Sequence, residues 1–257
     1  MTIKRSSWSL PYFIFLLLFV ALPLVLIAVY AFQDGDGRFT LQNIHRFFSD
    51  SDALSTFSLS LEIAIENTLI CLLIGYPAAW LLANRKFGFV SVTVLLFIMP
   101  MWINALIRTL ATAELFNMLG MQLGKGTLLF GMVYDYLPFM VYPIYNVLKK
   151  MDSSYAEAAE DLGATPLKVF FKVTLPLSLQ GVYSGVLMVF MPTVSTFAIS
   201  EFLTNNKVKL FGTIIQENIN SSMWNYGAAL SLVMLLIIGV TSYITSDKEN
   251  NKVGEVV

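Results

Sequence analysis

The chain has 257 residues, of which 56% are apolar and only 13% charged, and its mean hydropathy is +0.70. A soluble domain of this length carries about a quarter charged residues, so the composition points to a membrane. A net charge of −1 with no long basic tract gives no ground for a nucleic-acid partner, and a single cysteine, Cys71, excludes an intramolecular disulfide or a cysteine-based zinc site.

A helix needs about 20 apolar residues to cross the hydrocarbon core. Six stretches qualify, at 10–32, 61–83, 90–110, 127–148, 177–199 and 226–246. The first follows Lys4 and Arg5, but its apolar run is too long for a signal peptide and no small-x-small cleavage site follows; it reads as a retained anchor. Between the first two spans, segment 33–60 is mixed and half helical, with Asp34-Gly35-Asp36-Gly37 as a turn. Cys71 lies in an apolar run and reads as a small packing residue. Shorter loops follow at 111–126 and 200–225, and a polar passage occupies 149–176. The whole therefore reads as a single all-α transmembrane domain, 1–257.

Orientation follows from Lys and Arg in the short loops. With six spans, both termini share a side with 84–89 and 149–176. That side holds ten basic residues (Lys4, Arg5, Arg85, Lys86, Lys149, Lys150, Lys168, Lys172, Lys248, Lys252) against six elsewhere. Both termini and the polar passage are expected in the cytoplasm of a bacterial cell, the chain crossing its inner or plasma membrane in several passes among lipid.

Pro23, Pro77, Pro100, Pro138, Pro143 and Pro192 fall inside predicted spans. Each removes a backbone donor and bends its helix, which suits kinked helices around a substrate path. An acid inside the bilayer costs about 2.5–3.5 kcal/mol on insertion scales, so each needs a partner or a wet cavity. Glu62 and Glu66 are four apart and share a helical face at the outer end of the second span. Glu62 fits either the headgroup zone or the path; Glu66 fits the path or a pair with Arg108. Asp135, between Tyr134 and Tyr136 in the fourth span, is the strongest path candidate, and Glu201 ends the fifth span. Trp102 and Tyr134 serve equally as interfacial anchors or path aromatics. His45 reads as a solvated external histidine. Gly181-x3-Gly185 allows close helix packing in the fifth span.

The polar passage repays a closer look. Ser154-Tyr155-Ala156-Glu157 fits a capping box, Gly163 suits a left-handed helix stop, and Thr165-Pro166 restarts a helix as cap and first position. Two short helices with a bend are expected, the second running on until Leu175-Pro176 opens the fifth span. By local physics they are either a docking element or a plain connector. Glu157-Ala158-Ala159, three residues, Gly163, nine residues, Val173, one residue and Leu175-Pro176 resembles the EAA signature of the permeases of type I ABC importers, with valine in place of the usual isoleucine.

That resemblance implies the type I importer permease fold of six helices, with 149–176 carrying a coupling helix that seats in a cleft of an ATPase. Glu157 would make a polar contact there, Ala158 and Ala159 would permit close approach, Gly163 would set the bend, and Leu175 and Pro176 would complete the motif. It further implies a sister permease in a heterodimer, two ATPase subunits, and an extracellular or periplasmic substrate-binding protein. ATP and Mg would belong to the ATPase, and this chain would have no cofactor and no catalytic step of its own. Its nearest phosphate-loop look-alike, Gly120 to Thr127, has the wrong spacing, no preceding strand and an external place. Gly75 to Trp80, Pro100 to Arg108, Leu137 to Pro143 and Glu157 to Ala164 also resemble the first permease of spermidine/putrescine importers. A flexible polycation would suit acids and aromatic faces along its path, cation–π contacts contributing about 0.5–2 kcal/mol each. Iron, thiamine and sulfate permeases share parts of these stretches and stay open as alternatives, as does a secondary transporter, for which inverted repeats are expected and none is visible.

Overall fold

A computed structural model describes residues 10–83 and 90–254. Lys4, Arg5, Arg85 and Lys86, used above for orientation, lie outside the described residues. Every regular element among the described residues is helical: α1 (Leu10–Leu16), α2 (Leu22–Ala31), α3 (Gln42–Ser49), α4 (Ser51–Ala83), α5 (Val90–Ile98), α6 (Ala105–Met118), α7 (Lys125–Lys150), α8 (Ser154–Asp161), α9 (Pro166–Val169), α10 (Leu175–Ser195), α11 (Ala198–Thr204), α12 (Phe211–Asn220) and α13 (Trp224–Gly254). Five helical stretches are long and apolar enough to cross a membrane: Pro11–Ala31, Ser51–Ala83, Lys125–Lys150, Pro166–Ser195 and Trp224–Tyr243.

The expected third span, 90–110, is not one helix. α5 passes into a 3₁₀ turn, Met99–Trp102, the chain extends at Ile103, and α6 departs at 99°. The cause is local. Pro100 has no amide to continue an α-helical ladder, and the Asn104 side chain accepts the Leu106 amide at 2.9 Å, capping a new helix. The expected loop 111–126 is accordingly helical as far as Met118.

Two other prolines sit behind π turns. Leu17–Ala21 joins α1 to α2 just before Pro23, and Phe170–Thr174 joins α9 to α10 just before Pro176. In each, the amide before the proline reaches back five residues, Leu22 to Leu17 and Leu175 to Phe170. The wider turn absorbs the missing proline donor without ending the helix. Contrary to expectation, Leu175-Pro176 therefore does not open a separate span; Pro166–Ser195 is continuous.

The chain divides into two compact units. In the first, residues 10–56 and 214–239, the Asp34 carboxylate accepts the Asp36 and Arg38 amides (3.0 and 2.8 Å), forming the expected turn. Asn43 donates to Ala31 and Gln33 carbonyls, Asn225 donates to Gln33 and Asp34 carbonyls, and the Arg46 guanidinium lies 4.1 Å from the Tyr226 ring centre.

The second unit, 57–213 and 240–254, is built along α7. Near the start of α7, Leu128 and Met132 pack with Ile63, Phe116, Ile199 and Leu203; near its end, Met140, Ile144 and Leu148 pack with Cys71, Ala79, Val182 and Val189. Gly181 and Gly185 let α10 lie directly on α7: a Cβ at Gly181 would stand 2.9 Å from Ile144 Cα, and one at Gly185 3.1 Å from the Met140 carbonyl oxygen. Polar side chains clamp α4 to α10 at two levels, Asn67 donating to Thr193 Oγ1 at 2.9 Å and Tyr76 sharing a hydrogen with Ser178 Oγ at 2.7 Å. Burying such pairs satisfies groups that lipid could not.

Candidate functional site

At the 149–176 end of α7, the chain leaves the helix through Met151 in an extended conformation. Asp152 Oδ1 then accepts the Ser154 amide at 3.0 Å, and this hydrogen bond holds the exposed carboxyl below the usual carboxylate range. The expected Ser154–Glu157 capping box does not form: Ser154 is already inside α8, and Asp152 supplies the cap-like acceptor. The other end follows expectation. Gly163 has φ +79°, its amide donates to the Glu160 carbonyl (2.8 Å), and the Ala164 amide donates to Ala159 (3.0 Å). This pair of bonds is a Schellman stop. A Cβ on Gly163 would meet nothing, so the glycine is required by its backbone angle and not by space.

α8 therefore projects as a stub of eight residues with Glu157 and Ala158 exposed and Ala159 half-buried. Leu162 is 90% exposed, and Leu167 and Phe171 are also exposed. Two open clefts flank the stub. One of about 750 Å³ is lined by Tyr142, Asn146, Asp152, Tyr155, Gln180 and Ser184. The other, about 850 Å³, is lined by Trp80, Lys149, Ser153, Ala156, Glu157 and Thr174. Of the last two motif residues, Leu175 is half-buried and Pro176 exposed.

The stub is mechanically tied to three long helices. It follows α7 directly, and through α9 and the π turn it continues into α10. The third tie is aromatic: the Phe170 ring stands edge-on to Tyr76 and Trp80 of α4, with centroids 5.7 and 6.3 Å apart. Tyr76 and Trp80 belong to the Gly75–Trp80 stretch that the sequence had singled out.

Three of the four acids singled out from the sequence fall into two ion clusters. Asp135 meets Arg108 of α6: Arg108 Nη2 is 3.1 Å from Oδ1, Thr109 Oγ1 donates to Oδ2 at 3.2 Å, and the guanidinium lies 5.6 Å from the Tyr134 ring centre. The side chains are only 6% and 3% exposed. The contact is a charge pair without hydrogen-bond alignment, and Arg108 Nε and Nη1 are buried without a hydrogen-bond partner among the described residues. Glu66 does not pair with Arg108. At the opposite end of α7 from the stub, Lys125 Nζ lies 2.7 Å from Glu62 and 3.0 Å from Glu66. Trp102 is 80% exposed beside the α5–α6 break, Tyr136 is half-buried, and Glu201 sits half-buried in the first turn of α11. Neither Trp102 nor Glu201 joins an ion cluster. Sequence reasoning missed Lys125 and Thr109 as members of these clusters. The clue for Lys125 was its place two residues before the fourth span, on the side of the membrane where Glu62 and Glu66 end the second. Among the described residues no group of His, Cys, Asp and Glu could hold a metal ion.

Residues 3–246 match the family model described as the binding-protein-dependent transport system inner membrane component. The spermidine/putrescine transport system permease protein PotB of Escherichia coli is 33% identical over 88% of this chain and 90% of its own length. The corresponding PotC of the same organism is 27% identical over 93% and 94%. Among solved structures, a bacterial alginate ABC transporter, in complex with an alginate pentasaccharide-bound periplasmic protein, superimposes with a TM-score of 0.75 at 13% identity, covering 93% of this chain and 91% of its own.

Proposed function

Because the chain belongs to the family of binding-protein-dependent transport system inner membrane components, and folds as an ABC importer permease, we propose that it is the membrane subunit of an ATP-driven polyamine importer. The likeness to PotB carries the substrate class. The partners follow from the same reading: a sister permease like PotC, two ATPase subunits that bind ATP and Mg, and a binding protein on the outer face. Both termini and α8 then lie on the cytoplasmic side of the bacterial inner or plasma membrane.

α8 acts as the coupling helix. Glu157 and the small Ala158 face the ATPase cleft, and Ala159 lies at the edge of the contact. Closure of the ATPases pushes on α8. Because α8 follows α7 after Met151–Ser153, leads through the Gly163 bend and α9 into α10, and the π turn at Phe170 is buttressed on α4, the push reaches three helices together. The tight α7–α10 contact at Gly181 and Gly185 makes those two move as one body. A ligand-bound binding protein and ATP then jointly bias the permease pair between its two states.

The test is uptake of labelled spermidine and putrescine by cells that carry this chain with its partners, against cells lacking it. Gly163→Val, which opposes φ +79° by about 1–2 kcal/mol, should cut ATP-dependent uptake at least ten-fold while the chain still inserts. Undiminished uptake in the variant would overturn the coupling role of the stub, and no polyamine uptake by the wild type would overturn the substrate.

A further inference from the structure

Where α4 presents side chains outward within its span they are apolar, as at Leu69 and Leu73. The α7–α10 seam near the stub breaks that pattern. On α7, Tyr142, Asn146 and Lys150 recur every four residues and share one face, and on α10 Gln180, Ser184 and Met188 do the same. The two faces meet along the cleft of about 750 Å³. Tyr142 and Gln180 are exposed, and Asn146 and Ser184 are half-buried. Tyr142 and Asn146 lie about 12 and 6 Å inside the end of α7, at a rise of about 1.5 Å per residue. The close contact of Gly181 with Pro143 and Ile144 sets Gln180 and Ser184 at the same depth. Amides and hydroxyls at that level cannot be left to hydrocarbon; they need water or a polar partner.

Shape and chemistry choose between the two. The seam is concave, and its volume is that of a small-ligand site, about 300–1,000 Å³. Ser184 Oγ donates its one hydrogen to the Gln180 backbone carbonyl at 3.0 Å, so toward a ligand it can only accept. Asn146 and Gln180 add amide oxygens, and Tyr142 and Tyr155 add aromatic faces. Such walls suit ammonium groups through hydrogen bonds and cation–π contacts, and hold them less firmly than a bare carboxylate would. Among the described residues, the charged groups on the cleft are Lys150 and Asp152, of opposite sign, so its mouth does not trap a polycation. Asp152 leads into the α8 stub and Tyr155 lies in the first turn of α8, so part of the cleft wall belongs to the stub itself.

We propose that this cleft is the inner end of the substrate path, a low-affinity passage through which the polyamine leaves. Tyr142, Asn146, Gln180 and Ser184 form its fixed wall, and Tyr155 and Asp152 form a wall that moves with α8. The proposal rests on the polyamine reading above and adds that the stroke on the stub reshapes the exit directly, as well as through the long helices.

The test uses the full transporter, with the amount of inserted protein measured for each variant. In inside-out vesicles, Asn146→Cys and Ser184→Cys should react with a charged, membrane-impermeant thiol reagent, whereas Leu73→Cys on the apolar surface of α4 should not; Cys71 is buried and adds no background within this chain. In cells, Ser184→Phe, which fills the cleft, should lower the maximal rate of polyamine uptake about five-fold or more and leave the half-saturating concentration within about two-fold. Asn146→Cys and Ser184→Cys as silent as Leu73→Cys, or cross-linked to the sister permease, would make the seam a protein contact and overturn the proposal alone. A normal maximal rate in Ser184→Phe would do the same. Reactive cleft variants in a transporter that carries no polyamine would instead overturn the polyamine as the cargo of the passage.

Discussion

Arg108 and Asp135 show how much a single residue's setting decides. From the sequence, an acid flanked by two tyrosines in mid-span reads as a path residue. In the structure its carboxylate faces Arg108 and Thr109 and is 3% exposed. The sequence held both partners but not the 99° bend that brings α6 across to α7, so the pairing was not legible. Removing one partner leaves the other charge buried. Arg108→Met and Asp135→Asn should each destabilise the chain by about 3–5 kcal/mol, whereas Arg108→Met with Asp135→Leu should recover most of it. Thermal unfolding of the detergent-solubilised chain measures this. A loss in the double variant equal to the sum of the two single losses would mean that the pair is not coupled.

At the scale of elements, small-residue spacing and turn chemistry carried well and continuous spans carried less well. Gly163 as a left-handed stop, Thr165-Pro166 as a helix start, the Asp34–Gly37 turn and the Gly181-x3-Gly185 contact are each local, and each forms. The 99° break in the third span and the continuity of the helix through Leu175-Pro176 were not foreseen, because apolar length does not report direction. A proline gives a sharp break where an asparagine stands ready to cap the next helix, as at Pro100 and Asn104, and a mere π turn where no cap follows, as at Pro176. The α7–α10 contact tests the packing. A side chain at Gly181 would run into the backbone of Ile144 and the carbonyl of Pro143, which cannot rotate aside. Gly181→Leu should therefore cost about 1–3 kcal/mol or more and lower the melting temperature, while Gly239→Leu, where a Cβ meets nothing within 4 Å, should leave it unchanged.

On the scale of the whole molecule, the membrane class, the helical fold and the polar 149–176 passage were readable from composition and motif spacing. The ion clusters were not, because each joins residues from different spans. On the proposed reading, the polar passage is an exposed stub, joined by the chain to α7 and α10 and by Phe170 to α4, that would give an ATPase one handle on three helices.

That handle can be tested with a single cysteine. Cys71 is fully buried, so within this chain an added thiol at the stub reports alone. Ala158→Cys in the assembled transporter should be blocked by a membrane-impermeant thiol reagent only from the cytoplasmic side. It should cross-link to the ATPase subunit, with a yield that changes when ATP is bound. Labelling from outside the cell, or no cross-link in any nucleotide state, would contradict the account.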